Sequence, residues 1–186
     1  MGLFGLQHTL MARQGFKAAW TKLMPKPIER SGYMVFTCLA LIAMFVFWQP
    51  LPMLLWDARG TVGEPILWAL CALGWGIVLL STFLINHFEL FGLSQVWRYL
   101  KAKTPAPPRL RQPLFYKLVR HPLYAGFLIA FWATPAMSAG HLIFSASMSV
   151  YILIAIEFEE RDLIALFGSD YEAYRQRVGK LAPRLR

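Results

Sequence analysis

Charge vanishes from this chain in three long stretches. Ser31–Trp56 (26 residues), Pro65–Phe88 (24) and Pro122–Ile156 (35) contain no Asp, Glu, Lys or Arg. A bilayer needs about 20 apolar residues per helix, so the first two runs predict one span each, over about residues 32–50 and 65–86. The third is too long for one span. Ser138-Ala139-Gly140-His141 divides it, which predicts a tight hairpin of two short spans, about 122–138 and 141–157, with Pro135 kinking the first near its end. Beyond it, Leu163, Phe167, Tyr171, Tyr174 and Val178 recur at helical spacing. That spacing predicts an amphipathic C-terminal helix over about residues 158–178 lying on the membrane. Met1–Ala12 is apolar but too short to span, and it lacks the basic lead and cleavage site of a signal peptide. It reads as the end of a membrane helix. The expectation is an all-α integral membrane protein, one domain over residues 1–186, with about four transmembrane helices and a partial N-terminal one.

Composition agrees. Hydrophobic residues make up 57% of the chain and charged residues 16%, too apolar for an ordinary soluble domain. The basic residues then set orientation. Five precede the first run (Arg13 to Arg30), seven lie between His87 and His121 (Arg98 to Arg120), and six follow the last run (Arg161 to Arg186). The Asp57–Glu64 loop holds Arg59 and the Ser138–His141 turn holds none. The face carrying the three basic segments is expected to be cytoplasmic, which for a bacterial protein means the inner membrane. The net charge of +9 is explained by that rule and by anionic lipid headgroups; no nucleic-acid motif accompanies it. Cys38 and Cys71 sit inside apolar runs and are spaced neither as metal ligands nor as a redox pair. Neither a metal site nor a disulfide is expected. Pro105, Pro107 and Pro108 make the basic Lys101–Arg111 linker extended.

Both ends of the 35-residue run carry chemistry. Arg120-His121-Pro122-Leu123-Tyr124-Ala125-Gly126 leads in and Glu159-Glu160 leads out, so a hairpin brings the two together on one side. Pro122 suits a first helical turn, which puts Arg120 and His121 ahead of a helix N-terminus, a natural anion pocket. Gly126 lets a helix or a ligand approach closely. Taken alone, the lead-in also fits a basic interface anchor with a snorkelling Arg and a belt Tyr. Two adjacent carboxylates at a membrane boundary are not explained that way. A zwitterionic, cationic ligand does explain them: Arg takes a carboxylate, Glu takes an ammonium or ribose hydroxyls, and aromatic rings flank a sulfonium. The other polar residues near membrane depth are Gln7 and His8, Asn86 and His87, Glu89, Gln95 and His141; His141, in the far turn, reads as structural. Gly-rich phosphate loops, His-Glu-x-x-His and Gly-x-Ser-x-Gly are absent.

The pattern Arg-His-Pro-x-Tyr-x-Gly, hairpin, Glu-Glu-x-x-Leu-x-x-x-Phe-Gly-x-x-Tyr-x-x-Tyr, over Arg120 to Tyr174, resembles the integral-membrane methyltransferases. These include isoprenylcysteine carboxyl methyltransferases, phospholipid N-methyltransferases and NnrU-like relatives. Leu6–Arg13, Pro27–Ser31 and Phe83–Gly92 are further similar to bacterial methanethiol S-methyltransferases, so that the likeness runs nearly the whole chain. That group has a membrane helix upstream of the Gln7-His8 pair, in keeping with a partial helix here. The resemblance implies S-adenosyl-L-methionine as cofactor and a small volatile thiol as substrate, converted to dimethyl sulfide. Gln95, Arg120, His121, Tyr124, Gly126, Glu159 and Glu160 are the candidate cofactor residues. His8 and His87 are the candidate bases, and Gln7, Asn86 and Glu89 the candidate substrate contacts. The rival substrates are an isoprenylcysteine carboxylate and a phospholipid amine. The prenylcysteine enzymes carry an arginine in the last helix before the Glu pair, whereas Tyr151–Phe158 has no basic residue, which counts against a prenylcysteine carboxylate. The non-enzyme rival is a membrane scaffold of the NnrU-like type. Oligomeric state is not legible.

Overall fold

The computed structural model describes residues 1–104 and 107–184. Pro105 of the extended linker and Arg186 of the basic tail lie outside the described residues. In chain order the elements are α1 (Gly2–Ala12), α2 (Gln14–Trp20), α3 (Lys26–Val46), β1 (Leu54–Asp57), α4 (Gly63–Ile85), α5 (His87–Leu90), α6 (Leu93–Leu100), a 3₁₀ turn over Leu114–Lys117, α7 (Pro122–Trp132), β2 (Ala136–Ser138), α8 (Ala139–Phe167) and α9 (Ser169–Arg177). Among the described residues, α3, α4 and α8 are long and apolar enough to cross a membrane, and α7 is a shorter apolar helix. Their outward faces are apolar, as lipid requires: Val35, Leu39, Ile42, Ile66, Trp68, Leu73 and Leu80 are exposed. This is an all-α membrane protein with one short ribbon.

The described chain forms two compact units. The first joins Met1–Gln49 to the segment from Asn86 to Pro108. Within it α1 packs against α3. Gly92 starts α6 in the left-handed region (φ 82°), and a Cβ there would sit 2.6 Å from the Ser31 backbone nitrogen. Only glycine meets both demands. Arg30 Nε donates to the Leu90 carbonyl at 2.8 Å and ties the same corner.

The second unit takes Pro50–Ile85 and the chain from Arg109 onward. Here α4 and α7 touch backbone to backbone. A Cβ on Gly126 would lie 2.8 Å from the Gly74 carbonyl oxygen, and one on Gly74 would lie 2.6 Å from the Ala130 nitrogen. Gly126 therefore admits a helix, as close packing between small residues in membranes does.

Pro135 acts differently from the expected kink. It cannot donate to the carbonyl four residues back and its ring crowds that carbonyl, so α7 stops at Trp132 instead of running to 138. The carbonyl it orphans is that of Phe131. Ser145 Oγ donates to this oxygen at 2.8 Å, and His141 Nε2 lies 2.9 Å from it. The chain then runs extended as β2, paired antiparallel with β1. Ala58 and Ala139 nitrogens donate to Pro135 and Met53 carbonyls, each at 2.8 Å. Ser138 caps α8, its Oγ accepting from His141 N at 3.1 Å.

The C-terminal expectation is also corrected. Helix α8 runs unbroken through Glu159 and Glu160 to Phe167, and Gly168 (φ 54°) separates it from α9. The apolar face of the tail is turned inward rather than onto lipid. Tyr171, Tyr174 and Val178 are buried with Leu110, Leu163, Ile164 and Phe167 packed around them. Tyrosines at two of those positions need polar partners, and a protein interior can supply them. Tyr174 OH donates to the Tyr116 carbonyl at 2.6 Å.

Candidate functional site

The predicted site residues fall into two sets, one in each unit. In the second unit, Arg120 and His121 stand just before α7 and meet Glu160 of α8. Arg120 Nε and Nη2 both lie 2.8 Å from Glu160 Oε1, and His121 Nε2 lies 3.1 Å from the same oxygen. Arg120 Nη1 donates to the Arg175 carbonyl at 3.0 Å and to that of Val178. Arg120, His121 and Glu160 are 8%, 4% and 3% exposed. A charge so buried has to be paired, and here four of the five guanidinium donors and one carboxylate oxygen are engaged by the chain itself. The other oxygen, Oε2, has Arg175 Nε at 3.6 Å, from a half-exposed side chain.

The backbone ties the same corner. Arg120 and His121 nitrogens donate to Gly179 and Lys180 carbonyls at 2.8 and 3.1 Å. Beside this frame, Tyr124 OH donates to Glu159 Oε2 at 2.8 Å in an exposed position. Burial raises the phenols around the frame: Tyr174 is pushed up to about 12. Tyr171 and Tyr116 are also raised, by burial first and then by Glu160 and Glu159 respectively.

In the first unit, His8 is held between two hydroxyls of α3. Thr37 Oγ1 lies 3.1 Å from His8 Nδ1, and Tyr33 OH lies 2.6 Å from Nε2 and 2.9 Å from Nδ1. Thr37 gives its hydrogen to the Tyr33 carbonyl at 2.9 Å, so towards His8 it accepts. That arrangement fits a ring hydrogen on Nδ1, with Nε2 facing the Tyr33 hydroxyl. Phe4 stacks on the ring, centroids 5.4 Å apart.

The candidate substrate contacts are engaged locally. Gln7 Nε2 reaches Met11 Sδ at 3.0 Å. Asn86 caps α5 and donates Nδ2–H to Glu89 Oε2 at 2.7 Å, while Arg98 Nη2 lies 3.1 Å from Glu89 Oε1. Gln95, expected among the cofactor residues, donates to the Glu89 carbonyl at 3.0 Å. His87 packs its ring against Phe91, centroids 4.7 Å apart.

The structure thus brings Arg120, His121 and Glu160 together, Tyr124 to Glu159, and Asn86 and Gln95 to Glu89. Sequence reasoning missed Tyr33 and Thr37, although two hydroxyl residues four apart in an uncharged helical run were a readable signal. It also missed Arg175, whose position in a polar helix carries no such mark.

The chain is 51% identical over 183 residues to a methanethiol S-methyltransferase of Crocosphaera subtropica, covering 98% of this chain and 72% of that protein. It is 51% identical to methanethiol S-methyltransferase 1 of Bradyrhizobium diazoefficiens over 98% of this chain and 64% of that one. A more distant relative is Nurim of Homo sapiens, 29% identical over 87% of this chain and 64% of that protein. No family model and no solved structure matches.

Proposed function

The chain belongs to the methanethiol S-methyltransferases, and on that premise we propose that it methylates methanethiol to dimethyl sulfide with S-adenosyl-L-methionine as donor. The observation that carries this reading is the identity of 51% sustained over 98% of the chain. The donor, when bound, would supply an electrophilic methyl group on a sulfonium. The residues of the second unit fit such a ligand. Arg120 and Arg175 balance Glu160 and Glu159 in charge, as a zwitterion needs, and Tyr171 carries a buried hydroxyl with no partner among the described residues. Glu159 and Tyr124 are the exposed pair that would meet an ammonium or ribose hydroxyls. Arg120, His121 and Glu160 would frame the pocket, with Gly126 holding α7 close against α4.

The thiol must lose its proton before its sulfur can attack, and His8 or His87 is the base in this reading. Thr37 and Tyr33 orient the His8 ring, which supports the role. Gln7, Asn86 and Glu89 are the contacts this reading assigns to a substrate of two heavy atoms. The basic asymmetry supports an inner-membrane protein with this chemistry on the cytoplasmic side. Lipid and the volatile thiol are the partners.

The test is purified protein supplied with labelled S-adenosyl-L-methionine and methanethiol, with headspace dimethyl sulfide as the readout. Loss of the base should slow turnover about 10²–10⁴-fold at neutral pH, with rising pH partly restoring the variant because solvent thiolate replaces it. If neither His8→Ala nor His87→Ala slows turnover, the base assignment is wrong. Product from a phospholipid or prenylcysteine but none from methanethiol would overturn the substrate.

A further inference from the structure

Helix α9 presents two tyrosines on one face, equally buried and differently satisfied. Tyr171 and Tyr174 are 1% and 3% exposed, and their rings meet edge-on at 5.8 Å. Tyr174 gives its hydroxyl hydrogen to the Tyr116 carbonyl. Tyr171 OH is fully buried, and among the described residues it has no hydrogen-bond partner. Buried polar atoms are hydrogen-bonded in nearly every case, and packing alone would be served as well by phenylalanine. A bound group can satisfy this hydroxyl where the described residues do not.

The surroundings say what kind of group. Glu160 and Arg120 are the charged neighbours whose fields Tyr171 feels most strongly, followed by Glu159. Four of the five N–H donors of Arg120 are committed, to Glu160 and to two carbonyls. Arg175 lies four residues after Tyr171, one turn along the same helical face. Its side chain is half-exposed, with five donors and only a loose 3.6 Å contact to Glu160. A phenol that ionises only at high pH is a donor at neutral pH. A neutral donor beside a cation with spare donors recognises a carboxylate.

We propose that the Tyr171 hydroxyl, with Arg175 one turn on, is the carboxylate subsite of the donor pocket, holding the amino-acid end of the ligand. This rests on the reading of the pocket as an S-adenosyl-L-methionine site. Glu159 then remains for the ammonium group of the same amino acid.

Two ligands separate the possibilities. S-adenosyl-L-methionine carries the amino-acid group; methylthioadenosine keeps the nucleoside and the thioether and lacks it. Affinities are measured by calorimetric titration of the purified, detergent-solubilised chain, with melting temperature as a second readout. Tyr171→Phe should weaken S-adenosyl-L-methionine by about tenfold or more, the loss of a hydrogen bond to a charged group. It should bind methylthioadenosine as the unaltered protein does. Its melting temperature without ligand should be unchanged or higher, since an unsatisfied buried hydroxyl has gone. Arg175→Gln, at a half-exposed position, should show the same selective loss and covers the case of a poorly folded Tyr171→Phe. Equal affinity of Tyr171→Phe and the unaltered protein for S-adenosyl-L-methionine overturns the subsite and leaves the donor reading standing. An equal loss for both ligands also overturns it. If the unaltered protein binds neither ligand, the donor reading itself fails and the subsite with it.

Discussion

Glu160 has almost no exposed surface and answers to Arg120 and His121 through a single oxygen. Removing one member of such a pair leaves a buried charge without its partner, which typically costs about 3–5 kcal/mol. Arg120→Ala and Glu160→Gln are therefore expected to lower the melting temperature sharply in the ligand-free protein, as a thermal-shift assay in detergent would record. An unchanged melting temperature would mean that the pair is solvated in solution. Weaker donor binding in these two variants follows from damage to the frame, so it says little about contact with the ligand. Glu159→Gln and Tyr124→Phe are the informative pair, because both side chains border solvent. The meeting of Arg120 with Glu160 was legible in the sequence because a hairpin leaves little freedom in where its two ends arrive. Its backbone partners were not legible. These are the carbonyls of Arg175 and Val178, and backbone oxygens carry no sequence signature.

At the level of elements, charge-free runs marked the stretches that hold α3, α4, α7 and α8, while the ends of these helices differ from the expected ones. Pro135 was visible, but whether a proline bends or ends a helix depends on who takes the freed carbonyl, and here Ser145 and His141 both do. The tail shows the same limit. A stripe of Leu163, Phe167, Tyr171, Tyr174 and Val178 is amphipathic whether its partner is lipid or protein, and only the tertiary structure distinguishes the two. Burying tyrosines has a pH consequence. In the unfolded chain a phenol ionises near 10, while burial pushes Tyr174 up to about 12 and raises Tyr171 and Tyr116 as well. Between those limits the unfolded state releases protons that the folded state keeps, so stability falls as pH rises. It is fully present below about pH 10 and lost towards pH 12 and beyond. Tyrosinate absorbance in an alkaline titration should therefore lag behind that of free tyrosine and then rise together with loss of the helical signal. Early titration of all seven tyrosines would show the cluster open to water.

Across the whole molecule, basic residues fall almost entirely on one set of connections, with Arg59 standing apart beside Asp57. In inverted or sealed membrane vesicles, a cysteine placed at Lys103 should react with a membrane-impermeant reagent only from the cytoplasmic side, and one at Ala58 only from the opposite side. Labelling of both from the same side would refute the topology and relocate the chemistry. Membrane class follows from charge-free run lengths, because a bilayer imposes a length that any sequence must satisfy; where four spans were expected, three described helices have that length and α7 is shorter. The pairing of β1 with β2 has no such rule behind it. Leu54–Asp57 contains apolar residues in a run already explained by a helix, so nothing in its pattern marks it as a strand.

That pairing closes the connection between α7 and α8. The extended segment between α7 and α8 carries amides and carbonyls that cannot be left bare among apolar helices, and β1 supplies their partners. The ribbon therefore secures the far connection of the final hairpin, whose other ends carry Arg120 and Glu160.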